Sequence, residues 1–466
     1  MIHSFGRTIL YVGVAAALCR CSDPEVEILN EAKEQAVIDV TRTSDTNPEG
    51  RDASSGGGVI MQAFYWDVPA GGTWWNTVKS KVPSWDNAGF SAIWLPPSSK
   101  AQNGPYSMGY DPFDYFDFGQ YNQMGSTETR FGSDAELIDL INTSHANNIL
   151  VYADLVLNHN SGGTSEPNPY TGSNTYTDFN PASGKFNRSY HDFHPNSYHN
   201  NDEGSFGGYP DLCHHKQWVK DWLWNRTDGV GKYYKNSLGY DGWRFDYVKG
   251  FGSWVVKDFM TNVGGFGVGE YWDANVNLLK GWVDGTNRTA SAFDFACYYK
   301  MEEAFDGNNM NALKDDMLWK RDPYKAVTFV SNHDTNIIYD KYLAYAYILT
   351  HEGYPCVFYR DYEEWLSKTR MDNLLWIHIN LAKGSTSILY TDNDEYIARR
   401  NGSPGLVVYL NDSGSWQERW ITSPWASTKI RDYTGSSTWK PTTAADKRVK
   451  IQAPPHSYTI WSIDGL

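Results

Sequence analysis

Eight short apolar runs follow one another along this chain, most of them separated by segments of helical length. They are Val59–Trp66, Ser91–Pro97, Asn148–Leu157, a fourth within Tyr240–Gly250, Gly265–Trp272, Ala292–Tyr298, Ala326–Asp334 and Tyr354–Tyr359. One unbroken series of strand and helix is an α/β pattern, and at eight units it predicts a (β/α)8 TIM barrel; an open doubly wound sheet is the alternative. The helices have signals of their own. Ser133–Asn142 puts Leu137, Ile138 and Ile141 on one face, with Ser133 as N-cap and Glu136 completing a capping box. Lys341–Thr350 carries a helical apolar pattern between the seventh and eighth runs.

Two stretches break the series. Residues 158–217 form a polar insert after the third strand, rich in Asn, Ser, Gly, Asp and His, and too long for a simple connection. After the eighth run a helix around Leu374–Leu381 leads to short alternating runs, among them Tyr396–Arg400, Leu406–Leu410 and Ser457–Trp461. Gly, Ser, Pro and Asp turns separate them, which predicts a C-terminal antiparallel β domain. The expected organisation is a barrel over 58–157 and 218–384, a loop-rich insert domain over 158–217 and the β domain over 385–466.

Upstream, Arg7 precedes the apolar run Thr8–Leu18, which Cys19 and Cys21 close. This reads as an export leader over 1–21, followed by a flexible tether over 22–57. A Cys after small apolar residues resembles a lipoprotein cleavage site, although Leu18 and Arg20 stand where small residues are usual. The expectation is an exported monomer, extracellular or at the cell surface, with a lipid anchor if Cys19 or Cys21 is acylated.

The net charge of -15 argues against nucleic acid and gives no attraction to an anionic membrane surface. A neutral polymer fits better. With 20 Trp and 32 Tyr the chain is rich in flat amphipathic rings, which suit a sugar chain as well as a large core. Beyond the leader only Cys213, Cys297 and Cys356 remain, so this is not a disulfide scaffold. Cys297 and Cys356 fall in the sixth and eighth strand runs and read as buried free thiols.

Polar residues gather at the C-terminal ends of the runs: Asn158, His159, Asp246, Glu270, His333 and Asp334. That is the end at which barrel chemistry sits. Arg244 and Asp246, two apart, leave one face of the fourth strand, and the cation should keep the carboxylate ionised. Taken alone, the pair reads equally as structural or as a nucleophile with its support. Glu270, in Val268-Gly-Glu-Tyr-Trp272, has an apolar and aromatic setting that should raise its pKa and suit a proton donor. Asp334 follows Asn332 and His333 and is placed to bond substrate hydroxyls.

Four segments carry a resemblance: Asp154-Leu-Val-Leu-Asn-His159, Gly242-Trp-Arg-Phe-Asp-Tyr-Val-Lys249, Gly269-Glu-Tyr-Trp272 and Phe329-Val-Ser-Asn-His-Asp334. In order and spacing they resemble the signature regions of the α-amylase family of glycoside hydrolases. Met61–Trp66, Met108–Pro112, Gly207–His214 and Phe358–Trp365 extend the likeness, which runs from about Gly58 to the C-terminus and is expected to be closest to archaeal and then plant members. The resemblance implies retaining endo-hydrolysis of α-1,4-glucan. Asp246 would be the nucleophile, Glu270 the general acid/base and Asp334 the transition-state stabiliser. Arg244 would orient Asp246, His159 and His333 would bind hydroxyls of the sugar being cleaved, Tyr110 would stack on its ring, and Lys249 would meet the next sugar on the leaving side.

The same likeness implies two metal sites. Asn158, Asp202, Gly204, Asp211 and Gly250 offer the carbonyl and carboxylate oxygens that suit Ca²⁺. His194, His199 and Cys213 offer the imidazoles and thiolate that suit Zn²⁺. Relatives carry adjacent cysteines just after the second His; Asn200 and Asn201 stand here instead, so the insert is expected to lean more on its metals. Two other readings stay open: a transglycosylase or maltogenic enzyme of the same family, and a starch-binding protein on the same scaffold, for which the intact acids would have no use.

Overall fold

The computed structural model describes residues 58–202, 204 and 206–466, so the expected leader and tether lie outside the described residues. Eight parallel strands close into a barrel: β1 (Ile60–Gln62), β2 (Ala92–Trp94), β3 (Leu150–Leu155), β4 (Gly242–Phe245), β5 (Phe266–Gly269), β6 (Ser291–Phe293), β7 (Ala326–Phe329) and β8 (Tyr354–Phe358). Each strand pairs with its neighbours in sequence, and β1 closes the ring against β8 with Ile60 opposite Cys356. The open doubly wound sheet is thereby ruled out.

Alternation along β4 shows how sequence sets the layers. Trp243 and Phe245 point outward and meet Phe259 of the helix Ser253–Val263 edge-on, at 5.3 and 5.2 Å between ring centroids. Arg244 points inward, fully enclosed, to where Asp154 of β3 and Asp246 meet it. The helix before β3 spans Asp134–Ala146, and its Ser133–Glu136 capping box forms as the sequence predicts. Lys341–Thr350 is likewise a helix, buried along nearly its whole length.

The apolar runs overshoot the strands, because each run continues past the ladder into the loops at the barrel mouth. The seventh run shows how: Asn332 Oδ1 accepts from the backbone N–H of Asp334 (2.8 Å) and Thr335 (2.9 Å), a local turn that competes with further strand. The sixth run needs a larger correction. Strand stops at Phe293, and Phe295–Met301 is a helix that Asp294 caps by accepting from the Cys297 N–H at 2.9 Å. Cys297 is therefore helical, although buried as expected, and Cys356 is buried in β8.

The insert carries a hairpin, Thr164–Asn168 with Ser173–Asp178, and a small aromatic core. Arg188 is enclosed in that core, its guanidinium 4.5 Å from the Phe186 ring and 4.7 Å from Phe179, with one N–H on the Phe113 carbonyl. The C-terminal domain is a five-stranded antiparallel sheet ordered 386–391, 395–400, 406–411, 457–463, 430–432, covered by the pair 417–422 and 448–453. Ile397, Val407, Tyr409, Ile451 and Trp461 fill the space between them. The domain is bonded to the barrel by the buried pair His351 Nε2···Tyr396 OH (2.8 Å) and by Arg400 Nη1 on the Thr350 carbonyl (3.0 Å).

Candidate active site

The ends of β3, β4, β5 and β7 deliver one constellation. Arg244 is its hub. Nη1 donates to Asp154 Oδ1 at 2.8 Å and to Asp246 Oδ1 at 2.6 Å, while Nη2 lies 2.6 Å from Glu270 Oε1. Three enclosed carboxyl groups thus share one cation. Asp246 and Glu270 thus sit on the two arms of the guanidinium.

That sharing decides the protonation. Burial pushes Glu270 up to about 7, with Arg244 pulling down and the Asp246 charge pushing further up. Glu270 is raised as its setting predicts. Asp246 departs from expectation. Its ion pair with Arg244 is present, yet burial outweighs that pair and the carboxyl is raised above the ordinary Asp value. One guanidinium cannot offset the desolvation of three carboxylates. Asp334 is more open, its side chain 42% exposed, and is nonetheless pushed up to about 6, first by desolvation and then by the Glu270 charge.

A hydrogen-bonded chain lies beside the acids. Gln62 Nε2 meets His333 Nδ1 at 3.0 Å, His333 Nε2 meets the Tyr110 hydroxyl at 2.9 Å, and that hydroxyl donates to Asp154 Oδ2 at 2.9 Å. The directions are consistent only if His333 is neutral with its proton on Nε2. Burial, then the Arg244 charge, hold its pKa well below the usual histidine range. Tyr110 stacks on His333 at 5.4 Å, and Trp66 stacks on Tyr110 at 5.8 Å with nearly half its surface exposed.

His159 is fully enclosed, its Nε2 3.0 Å from the Tyr110 carbonyl, its ring stacked with Phe206 (5.0 Å) and Tyr209 (5.2 Å) of the insert. Lys249 is turned toward β5, donating to Asp273 Oδ2 (2.8 Å) and the Trp272 carbonyl (3.0 Å).

The expected metal ligands form two adjoining groups. Asn158 is fully enclosed with Oδ1 lacking a partner, and a Cβ on Gly250 would collide with that oxygen, so Asn158 and Gly250 face each other closely. Asp211 places one oxygen 2.9 Å from His194 Nδ1 and leaves the other without a partner. Unpartnered buried oxygens beside a backbone turn fit a hard cation. Gly204 lies near the Tyr247 hydroxyl. In the second group, ligand atoms of His194, His199 and Asp202 converge within 4.8 Å of one another. Asp202 Oδ1 is 3.6 Å from His194 Nε2 and 3.7 Å from His199 Nδ1, and neither nitrogen has a hydrogen-bond partner. Cys213 is buried and bears on His194. Burial pulls the His194 pKa down, but Asp211, Cys213 and Asp202 around it carry it to about 10, the mark of a position that favours positive charge.

Four residues of this site escaped the candidate set drawn from the sequence: Asp154, Trp94, Gln62 and Trp66. Asp154 was visible as a carboxylate inside an apolar strand, a placement that demands partners. It takes bonds from Arg244, Tyr110 and Trp94 Nε1 (3.1 Å).

A closed eight-stranded barrel with carboxyls gathered at its C-terminal mouth has the layout of the enzymes of this fold. Two family descriptions narrow it: the α-amylase catalytic domain matches residues 42–261, and the α-amylase C-terminal domain matches residues 406–462. The chain belongs to the α-amylase family of glycoside hydrolases. An α-amylase of Geobacillus stearothermophilus is 28% identical over 89% of each chain. A probable α-amylase 2 of Arabidopsis thaliana is 29% identical over 69% of this chain and 79% of its own. The crystal structure of an Anoxybacillus α-amylase superposes with a TM-score of 0.69 at 18% identity, covering 88% of this chain and 98% of that one, and so bears on the fold alone. The expected archaeal affinity is not borne out; the plant likeness is.

Proposed function

We propose that the protein hydrolyses α-1,4-glucosidic bonds within starch-like glucans with retention of configuration, Asp246 attacking and Glu270 acting as acid and then base. The carrying observation is that these two carboxyls sit on the two arms of one guanidinium, Asp246 Oδ1 and Glu270 Oε1 each 2.6 Å from it. Retaining glycosidases hold their carboxyls about 5–5.5 Å apart, whereas inverting ones leave room for a water between them, at about 6.5–9.5 Å.

Glu270, raised to about 7, holds its proton at mildly acid pH and can pass it to the departing sugar oxygen. Asp246 then bonds to the sugar carbon. Its charge forms once Glu270 carries the shared proton, and Arg244 steadies it. Water, deprotonated by the now ionised Glu270, releases the sugar. Asp334, open to the cleft, accepts from sugar hydroxyls, while His333 and His159, their nitrogens taken up within the protein, hold Tyr110 by its hydroxyl and its carbonyl. Tyr110 and Trp66 offer ring faces.

Asn158, Asp211, Gly250, Gly204 and Asp202 would hold calcium, which would supply a charge pinning the insert to the loop behind Asp246. His194 and His199, with Asp202 or Cys213, would hold a second cation, for which zinc is the candidate. Two assays test the reading. Reducing-sugar release from soluble starch is expected from the wild type and lost in Glu270→Gln; equal release by both would overturn the assignment of the acid. The anomer of the first product, read by NMR, is expected to keep the α configuration. Product analysis on a short maltooligosaccharide separates hydrolysis from transfer.

A further inference from the structure

Gln62 is the last residue of β1, and its side chain is fully enclosed. An amide offers donors at one end and an acceptor at the other. Nε2 meets His333 Nδ1 at 3.0 Å, but Oε1 is buried with no partner. An orphaned buried oxygen costs stability, and an apolar side chain of similar shape avoids that cost. Packing is therefore a poor account of Gln62. The bond that it does make gives a better one.

That bond has a definite direction. His333 Nε2 lies 2.9 Å from the Tyr110 oxygen and 3.2 Å from Asp334 Oδ2. The Tyr110 hydroxyl donates its proton to Asp154 Oδ2 at 2.9 Å, so toward His333 it only accepts. An ionised Asp334 only accepts as well. Nε2 must therefore carry the hydrogen. Burial and the Arg244 charge keep the ring from taking a second proton, which leaves Nδ1 a bare acceptor. Only the N–H2 end of Gln62 can face it, and Oε1 is turned away. The orphaned oxygen and the histidine tautomer belong to one arrangement.

In a neutral imidazole the proton can sit on either nitrogen, and the hydrogen bond at one decides the other. With the proton on Nδ1, the Nε2 lone pair would face the Asp334 carboxylate and the Tyr110 oxygen with no hydrogen between them. Gln62 closes off that form from the other edge of the ring. Resting on the glucan-hydrolase reading above, we propose that Gln62 is a positioning residue: its donor on Nδ1 holds the His333 proton on Nε2, where one N–H steadies both Asp334 and Tyr110 for the reacting sugar. Asp334, the most open of the acids, gains a fixed orientation from it, and Tyr110 keeps its hydroxyl on Asp154.

The test uses Gln62→Met, which keeps the length of the side chain and removes its donor. In protein carrying isotope-labelled histidine, with His333→Gln identifying the signal, the ring nitrogen shifts report the tautomer by NMR. Wild type is expected to hold the proton on Nε2 alone, and Gln62→Met to show both forms. A proton on Nδ1 in the wild type, or an unchanged tautomer in the variant, overturns the proposal. On soluble starch, kcat is expected to fall about tenfold in Gln62→Met, the scale of one hydrogen bond to a charged group, with KM moved by less than about twofold. The urea midpoint is expected to equal or exceed that of wild type, because the orphaned oxygen leaves with the amide. An unmoved kcat, or one that falls only in step with lost stability, also overturns the proposal. The tautomer readout needs no substrate, so a wild type that shows Nε2–H yet cleaves no starch removes instead the glucan-hydrolase reading beneath it.

Discussion

Replacing Glu270 by Gln removes a proton donor and keeps the side chain's shape. The Gln carbonyl can still accept from the Tyr247 N–H, now 3.0 Å from Glu270 Oε2. Its amide N–H2 then faces Arg244 Nη2, a donor against a donor, where Glu270 Oε1 sits at 2.6 Å. That mismatch costs about 1–3 kcal/mol. An opposing effect comes from ionisation. Glu270 is raised from 4.5 to about 7, burial being the largest cause. A carboxyl raised on folding adds nothing adverse while protonated. It withdraws stability as pH climbs from the unfolded value to the folded one, here about 3 kcal/mol in all. Gln cannot ionise, so Glu270→Gln is expected to be less stable than wild type at pH 5 and close to it at pH 8, by urea unfolding. Activity behaves otherwise. Loss of a general acid costs about 10²–10⁴-fold in kcat. The alkaline limb of the wild-type pH profile, falling through about pH 7, disappears from what remains. A glucoside with a dinitrophenolate leaving group, which departs without a proton, recovers the first step. A variant that keeps more than a tenth of wild-type kcat on starch, with the alkaline limb intact, refutes the role of Glu270.

Arg244→Met strips three enclosed carboxyls of their shared cation, and about 3–5 kcal/mol of stability is expected to vanish at pH 8. The loss shrinks at pH 5, where the raised carboxyls protonate, and equal losses by urea unfolding at both pH values would contradict the charge-sharing account. Chelation is expected to lower Tm by several degrees and calcium to restore it, since a ligand at about a hundredfold its Kd contributes about 2.7 kcal/mol. Metal analysis of protein purified without chelator should also find zinc; its absence would remove zinc as the second cation. Gly250→Ala drives a methyl into Asn158 Oδ1, so it should weaken calcium rescue of Tm while leaving the zinc content as in wild type.

The barrel was legible because its signal repeats: eight apolar runs and a well-capped helix such as Asp134–Ala146 can be read one segment at a time. Strand ends were not, because the runs at β6 and β7 continue past the ladder, where the side chains of Asp294 and Asn332 bond the local backbone instead. The three acids were legible by position at strand ends. The protonation of Asp246 was not, since it depends on how many carboxyls share Arg244, a count fixed by tertiary convergence. Asp154 makes the point: two strands must pair before it can load Arg244 and offset that cation's pull on Asp246.

The pairing of Ile60 with Cys356 joins residues about 300 apart, a long loop to close and slow to find. Until β8 has been synthesised, β1 and β7 present bare edges of the kind that pair with other chains. A chain stopped before Tyr354 would already carry Asp246, Glu270 and Asp334, yet it would lack the strand that brings the two ends of the ring together. The order of strands thus makes hydrolysis a property of the finished polypeptide, and makes the last barrel strand the step at which an aggregation-prone nascent chain becomes an enzyme.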